Sequence, residues 1–339
     1  MTRVPVTPTQ DSIIGEVLPA GYVVRGLKLV GDDGGPDVDA AYSVVQASES
    51  RVTGACEVAR GEVLADLTGH EGDPEGARLV FDPMGEAVGY LGVTVDPEGH
   101  LVWVDAYAID ECGTGQTPSG LLGAFVRAGL LRGAEFAEPD QGLWTVKVGA
   151  LDADAEYRQV VQAVGLAPVR TFFRMRIGFA EEAPVPVLPA EVTITIARTD
   201  EERRIVHQLI ETSFADHWDY APHSYSSFLD YATKSFGYDP TRWWVLRVAD
   251  APAAVCVGTD ESKELGDGYI KWLGVVRDFR GRGLAKLLLH KAFHDYAIHG
   301  YSGVRLGVDS SNPTGATHLY TSVGMSSIET VHVYNYDLT

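Results

Sequence analysis

Cysteine, basic residues and long apolar runs are all scarce in this chain. Its 339 residues include three cysteines, Cys56, Cys112 and Cys256, odd in number and far apart. They supply neither a disulfide framework nor a metal-ligand spacing, so free thiols in a reducing cytoplasm are expected. Lysine and arginine number 27 against 47 aspartates and glutamates, for a net charge of −20. Nucleic acid or anionic lipid would need a basic footprint, so neither is expected as a partner; an acidic surface suits a cationic amine better. No stretch reaches the ~18 apolar residues of a membrane span. Positions 1–20 hold one basic residue and no apolar run longer than Ile13-Ile14, unlike the apolar region of a signal peptide.

What is present reads as an ordinary globular chain, 45% hydrophobic and 22% charged, long enough for two domains with a core each. Positions 1–20 read as a polar arm. A strand at 22–30 and helices at 37–48 and 62–67 follow, then three apolar runs at 77–81, 87–95 and 101–109. Met84-Gly85 and Asp96-Pro97-Glu98-Gly99 separate these runs as hairpin turns, so an antiparallel meander is expected. A helix at 119–131 and a strand at 143–148 come next. Prolines recur through 181–189 and can continue neither a helix nor a central strand, which places a linker at 183–190 between domains 1–182 and 191–339.

The second half repeats the order. Strand 192–197 leads to helix 200–214, with Asp200 as its N-cap, and then to helix 224–234. Strands follow at 243–248, 253–259 and 269–276; of the adjacent Trp243 and Trp244, one ring is expected in the core and the other at the domain interface. A turn holding Gly281 and Gly283 then opens an apolar-rich segment, 284–296, that has no Gly or Pro and reads as a helix. A helix N-terminus with exposed N–H groups and no Cβ in the way is an anion site. Arg277, Arg280, Arg282 and Lys286 surround it, opposed only by Asp278. His290 and His294 are four apart, but the Glu of a zinc protease and a third ligand are missing, so no metal is expected.

The two halves can be laid over each other. Gly120 and Gly283 each precede an apolar helix, and Val164-Gly165-Leu166 matches Val323-Gly324-Met325, at offsets of 163 and 159 residues. Nearly equal offsets indicate an internal repeat of a whole domain. The first copy has Thr117 opposite Arg280, Ala153 opposite Asn312 and Val161 opposite Tyr320. It therefore reads as a degenerate copy, retained for packing, for shaping a substrate cleft or for a partner surface, although backbone amides alone could still bind phosphates.

Arg280-Gly281-Arg282-Gly283-Leu284-Ala285 fits an Arg/Gln-x-x-Gly-x-Gly/Ala signature. It is followed by a strand at 304–309, then Asn312-Pro313-Thr314-Gly315-Ala316, Leu319-Tyr320 and Gly324-Met325. In these two spaced motifs the chain resembles the GCN5-related N-acetyltransferases. The resemblance implies an α+β fold of two tandem domains, each a mixed, mostly antiparallel sheet flanked by helices. It also implies acetyl-CoA as co-substrate. The pyrophosphate would lie on Arg280, Gly281, Arg282, Gly283, Leu284, Ala285 and Lys286, and the pantetheine arm along a splayed strand at Leu273, Val275 and Val276. Asn312 would cap the next helix, with Pro313 in its first turn, and would reach the same arm.

Tyr320 becomes the general acid that protonates the departing thiolate, with the small Ala316 one turn earlier leaving room for the sulfur. The glutamate that often serves as base is missing from the strand before the turn, where Tyr269 or Lys271 stands. Asp267 is the expected substitute, with His217, Asp219 and Asp309 as further candidates. The aromatic cluster Phe214, His217, Trp218, Tyr220, Tyr225, Phe228 and Tyr231 would form one wall of the acceptor site. The implied reaction is direct attack of a small-molecule primary amine on acetyl-CoA. A tandem layout with an active second half is similar to mycothiol synthase, which acetylates a cysteinyl amine. A non-catalytic acyl-CoA sensor is the opposing class; oligomeric state has no signature in the sequence.

Overall fold

The computed structural model describes residues 8–109, 118–137, 142–179, 183–215, 217–218, 220–234, 237–312 and 315–338. The chain forms two compact units, residues 1–170 with 331–339, and residues 171–330.

In the first unit the order is α1 (Gln10–Gly15), β1 (Val23–Gly26), α2 (Pro36–Thr53), α3 (Arg60–Thr68), β2 (Arg78–Phe81), β3 (Ala87–Asp96), β4 (Leu101–Ala108), α4 (Pro118–Phe136), β5 (Trp144–Leu151) and α5 (Ala155–Val164). Strands β1 to β4 form an antiparallel meander and β5 joins β4 in parallel. The positions read as a polar arm instead carry a helix. Thr9 and Ser12 bond each other's backbone N–H in a capping box, and Ile14 is wholly buried.

The rest of the chain comprises β6 (Ala167–Gly178), β7 (Val192–Ile196), α6 (Asp200–Phe214), α7 (Tyr225–Lys234), β8 (Trp243–Val248), β9 (Ala251–Thr259), β10 (Asp267–Val275), α8 (Leu284–Ile298), β11 (Gly303–Asp309), α9 (Ala316–Ser322) and β12 (Ser326–Leu338). In the second unit β7, β8, β9 and β10 are antiparallel neighbours, β11 joins β10 in parallel, and β6 joins β11 antiparallel. Both units thus show helices, a meander, a helix, a parallel strand and a short helix, in that order. Among the described residues no helix is long and apolar enough to cross a membrane.

The division of the chain differs from a cut at 183–190. β6 precedes the proline-rich segment yet pairs with β11 from Gly303↔Gly178 to Asp309↔Phe172. Conversely, residues 331–338 of β12 pair with β5, from Val331↔Leu151 to Leu338↔Trp144. Each sheet therefore takes a strand from beyond the boundary that proline punctuation suggests. Local sequence cannot report such long-range pairing.

The sheet of the second unit is covered on both faces. Trp243, Val245, Val255 and Val257 pack with Val206, Leu209 and Phe228 of α6 and α7. Trp244, Leu246, Cys256 and Ile270 pack with Leu288, Leu289, Phe293 and Tyr296 of α8. Burial on two faces explains the apolar run Trp243 to Leu246 in β8. Both tryptophans are core residues, 1% and 0% exposed, because adjacent strand positions point to opposite faces and both faces are buried. Two caps also differ from expectation. Thr199, not Asp200, caps α6 in a capping box with Glu202, leaving Asp200 to pair with Arg204. Helix α9 begins at Ala316 with Gly315 as N-cap at φ 74°, so Asn312 lies outside it.

Candidate active site

The site follows from a short pairing. β10 and β11 are in register only from Asp267↔Gly303 to Tyr269↔Arg305, after which β10 continues against β9 and β11 against β6. Between the strand ends lies a cleft of about 770 Å³. Ile270, Leu273, Gly274 and Val275 line one side, and Leu306, Gly307, Val308 and Asp309 the other. Strands that have parted leave backbone N–H and C=O groups available to a ligand laid between them.

The glycine turn closes one part of this cleft. After a single 3₁₀ turn at Arg277–Phe279, Gly281 and Gly283 adopt φ 74° and 77°, the left-handed region. A Cβ on either would meet nothing within 4 Å, so the backbone angle, not crowding, calls for glycine there. The first backbone bond of α8 runs from Leu287 N–H to Gly283 O at 3.2 Å. The amides from Gly281 to Lys286 precede it, and among the described residues they have no backbone acceptor. Together with the positive end of the helix dipole they form a site for an anion.

Arg280 lines the cleft, and its guanidinium donates from Nε to Val275 O at 3.0 Å and from Nη2 to Ser213 O at 3.2 Å. It thereby ties the turn to the end of β10 and to α6. The close approach of α6 depends on Gly274, where a Cβ would stand 2.6 Å from Cβ of Ser213. Lys286 reaches Ser322 O at 3.4 Å, linking α8 to the end of α9.

At the wall formed by α9, Ala316 and Tyr320 line the cleft one helical turn apart. Tyr320 is 8% exposed, and burial pushes its phenol well above the ordinary value, so it carries its proton throughout the neutral range. Among the described residues none hydrogen-bonds its hydroxyl. Asn312 lies on the same wall; its N–H donates to Asp309 O at 3.1 Å and its carbonyl accepts from Gly315 N–H at 3.3 Å.

Of the residues expected at the site, Leu273, Val275, Arg280, Gly281, Gly283, Leu284, Ala285, Lys286, Asn312 and Tyr320 line the cleft. Val276 and Arg282 do not: the Val276 N–H is taken by Ala253 O at 3.0 Å, and the Arg282 guanidinium lies over the Phe279 ring at 5.6 Å. Asp267 is a correction. It is 0% exposed and clamped by Arg176 and Arg305, each at 2.6 Å, with Ser302 donating at 3.0 Å. A carboxylate sealed between two guanidiniums cannot reach an amine in the cleft. Asp219, Pro313 and Thr117 lie outside the described residues.

Phe214, His217 and Lys271 line the cleft with Phe172, which sequence reasoning missed because nothing marked β6 as a strand of this unit. His217 Nδ1 lies 3.3 Å from Trp218 O. A carbonyl only accepts, so that nitrogen holds the proton and Nε2 keeps the lone pair in the neutral ring.

A sheet covered by helices on both faces, with a parallel pair that separates above a glycine turn, is an acetyltransferase fold. Residues 204–325 match the Acetyltransferase (GNAT) family. A mycothiol acetyltransferase of Tsukamurella paurometabola is 25% identical over 182 residues, which are 51% of this chain and 61% of that relative, less than two thirds of its length. A GCN5-related N-acetyltransferase from Sphaerobacter thermophilus is 25% identical, with a TM-score of 0.77 over 94% of this chain and 96% of the other. A tandem GNAT protein from the clavulanic acid biosynthesis pathway shares the fold at 13% identity, with a TM-score of 0.66 over 93% and 98% of the two chains. The chain therefore has the expected α+β architecture, with mixed, mostly antiparallel pairing in its units.

Proposed function

We propose that the second unit transfers an acetyl group from acetyl-CoA to a primary amine of a small molecule. The observation that carries this reading is one cleft presenting both the open amides of residues 281–286 and a protonated Tyr320. Those amides, with Lys286 and Arg277 beside them, suit the pyrophosphate, and the stretch of β10 from Leu273 to Val275 that lines the cleft suits the pantetheine arm. Acetyl-CoA supplies the activated acyl carbon.

The residues then divide the proton work. Nε2 of His217 takes a proton from the acceptor ammonium, freeing its lone pair to attack the carbonyl carbon, and Asp309 is the carboxylate that lines the same cleft. As the carbon–sulfur bond breaks, Tyr320 gives its phenolic proton to the thiolate, and the proton that the attacking nitrogen sheds on becoming an amide restores the phenol. The raised pKa keeps Tyr320 protonated at neutral pH, so it is present as a donor and not as a base. In this scheme residues 1–170 with 331–339 form the non-catalytic copy.

Free-thiol release with Tyr320→Phe tests the reading. Loss of a positioned acid lowers kcat by about 10²–10⁴-fold, with the KM for acetyl-CoA unchanged. Wild-type turnover in the variant removes Tyr320 from the chemistry. An amine panel that includes a cysteinyl amine, the acceptor implied by the likeness to mycothiol synthase, and yields no turnover despite acetyl-CoA binding would favour a sensor.

A further inference from the structure

The β-bulge in β10 is a feature of the cleft that the proton transfers leave unused. Against β9 the register passes from Ile270↔Gly258 to Trp272↔Val257, so Lys271 is the additional residue. A bulge takes its residue out of strict alternation. Ile270 enters the core beneath α8 and Trp272 the core beneath α6 and α7. Lys271 sides with Trp272: its Nζ lies 5.7 Å from the Trp272 ring centroid and 4.5 Å from that of Tyr231 on α7. This is the side on which Phe214 and His217 form the wall of the cleft, and Lys271 lines the cleft with them.

A lysine with a side chain only 19% exposed meets a burial penalty against its charge. Here Tyr231 and Glu261, whose carboxylate is 3.8 Å from Nζ, outweigh that penalty and hold the proton more firmly than water does. The separation is that of an ion pair rather than a hydrogen bond, so Glu261 balances charge without taking an N–H donor, and the Tyr231 hydroxyl accepts one of the three. An ammonium held in this way cannot accept the proton of an amine. Although Lys271 stands near the place of the usual glutamate, its chemistry is that of a fixed cation.

We infer that the acceptor is an amine that also carries an oxyanion such as a carboxylate, and that Lys271 binds this oxyanion and selects for it. The inference rests on the acyl-transfer reading of the cleft and names its substrate class. Phe172 and Phe214 also line the cleft and offer apolar surface to the body that joins the two charged ends.

Calorimetric titration of the full chain, saturated with CoA, tests this with acetate, succinate and phenylacetate against acetamide, succinamide and phenylacetamide. The wild type is expected to bind at least one acid about ten-fold or more tightly than its amide. That preference should vanish in Lys271→Gln and in the double variant Lys271→Met/Glu261→Gln, which leaves no unpaired buried carboxylate. Melting temperature and CoA affinity, measured in parallel, show that the variants are folded and loaded. Equal binding of acids and amides by the wild type overturns the inference, as does a preference that survives in both variants. Failure of CoA itself to bind would instead count against the acyl-transfer reading.

Discussion

Gly283 offers the sharpest test of the turn, because replacing it with alanine changes one quantity. It is the N-cap of α8 at φ 77° and ψ 7°, and the added Cβ would meet nothing within 4 Å. Steric overlap therefore contributes nothing, and the cost is that of holding an L-residue left-handed, about 1–2 kcal/mol. That cost can appear in two ways. If the turn keeps its shape, the strain lowers stability, and at ~2–4 °C per kcal/mol for a domain of this size the melting temperature falls by roughly 2–8 °C. If the turn relaxes to negative φ, the peptide plane rotates, the amides leave the anion site, and CoA binds about 5–30-fold more weakly. Calorimetric melting and CoA titration on the same preparation should find losses that together approach 1–2 kcal/mol. Gly281→Ala, at φ 74° and equally open space, should behave alike. A variant matching the wild type in both measurements would refute the assignment of these amides to the phosphate.

Asp267→Asn should leave kcat nearly unchanged while lowering stability by an amount near the low end of about 3–5 kcal/mol, since Arg176 and Arg305 lose their shared carboxylate but are 31% and 14% exposed; a large loss of kcat in a variant of normal melting temperature would return Asp267 to the chemistry. Burial holds the Tyr157, Tyr296 and Tyr320 phenols above the ordinary tyrosine value. Below pH ~10 both folded and unfolded states keep these protons, whereas above it the unfolded chain releases them first, so stability falls as pH rises, by about 1.4 kcal/mol per phenol per pH unit. Denaturant titrations at rising alkaline pH should show that decline, and Tyr320→Phe should make it shallower.

Much of the cleft was legible because its signals are local. Paired glycines with φ above zero ahead of a Gly- and Pro-free apolar segment can hardly be anything but a turn entering a helix, and α8 begins at Leu284 as that pattern requires. The Ala316 to Tyr320 spacing likewise places both side chains on one wall once α9 exists. The unread parts depend on partners distant in sequence. Nothing near Asp267 announces that Arg176, 91 positions earlier, and Arg305, 38 later, will seal it. β6 does alternate, as Phe173-Arg174-Met175-Arg176-Ile177 shows, but it precedes the proline-rich segment, and its partner β11 lies more than 100 positions later. The direction of Lys271 depends on a bulge, which shifts side-chain alternation without a residue type to mark it.

The exchange of end strands has a consequence for dissecting the chain. A fragment cut at the proline-rich segment, residues 191–339, lacks β6. The edge of β11 from Gly303 to Asp309 then loses its antiparallel partner and is bared to other chains. Met175, fully buried, leaves the core packed by α8 at about 1.5–3 kcal/mol, and the partly buried Phe173 and Ile177 leave it at less each. Asp267 loses the Arg176 half of its clamp, and Phe172 disappears from the cleft. Residues 331–338 meanwhile remain attached without β5. Against a typical total stability of ~5–15 kcal/mol, losses on this scale should unfold the fragment. Residues 171–330 retain the part of β6 that pairs with β11 and omit the segment that pairs with β5, so this fragment should give a cooperative melt by circular dichroism, a monodisperse size-exclusion peak and measurable CoA binding. If 191–339 melted cooperatively and bound CoA as well as 171–330, strand β6 would be dispensable and the second unit would begin at the linker after all.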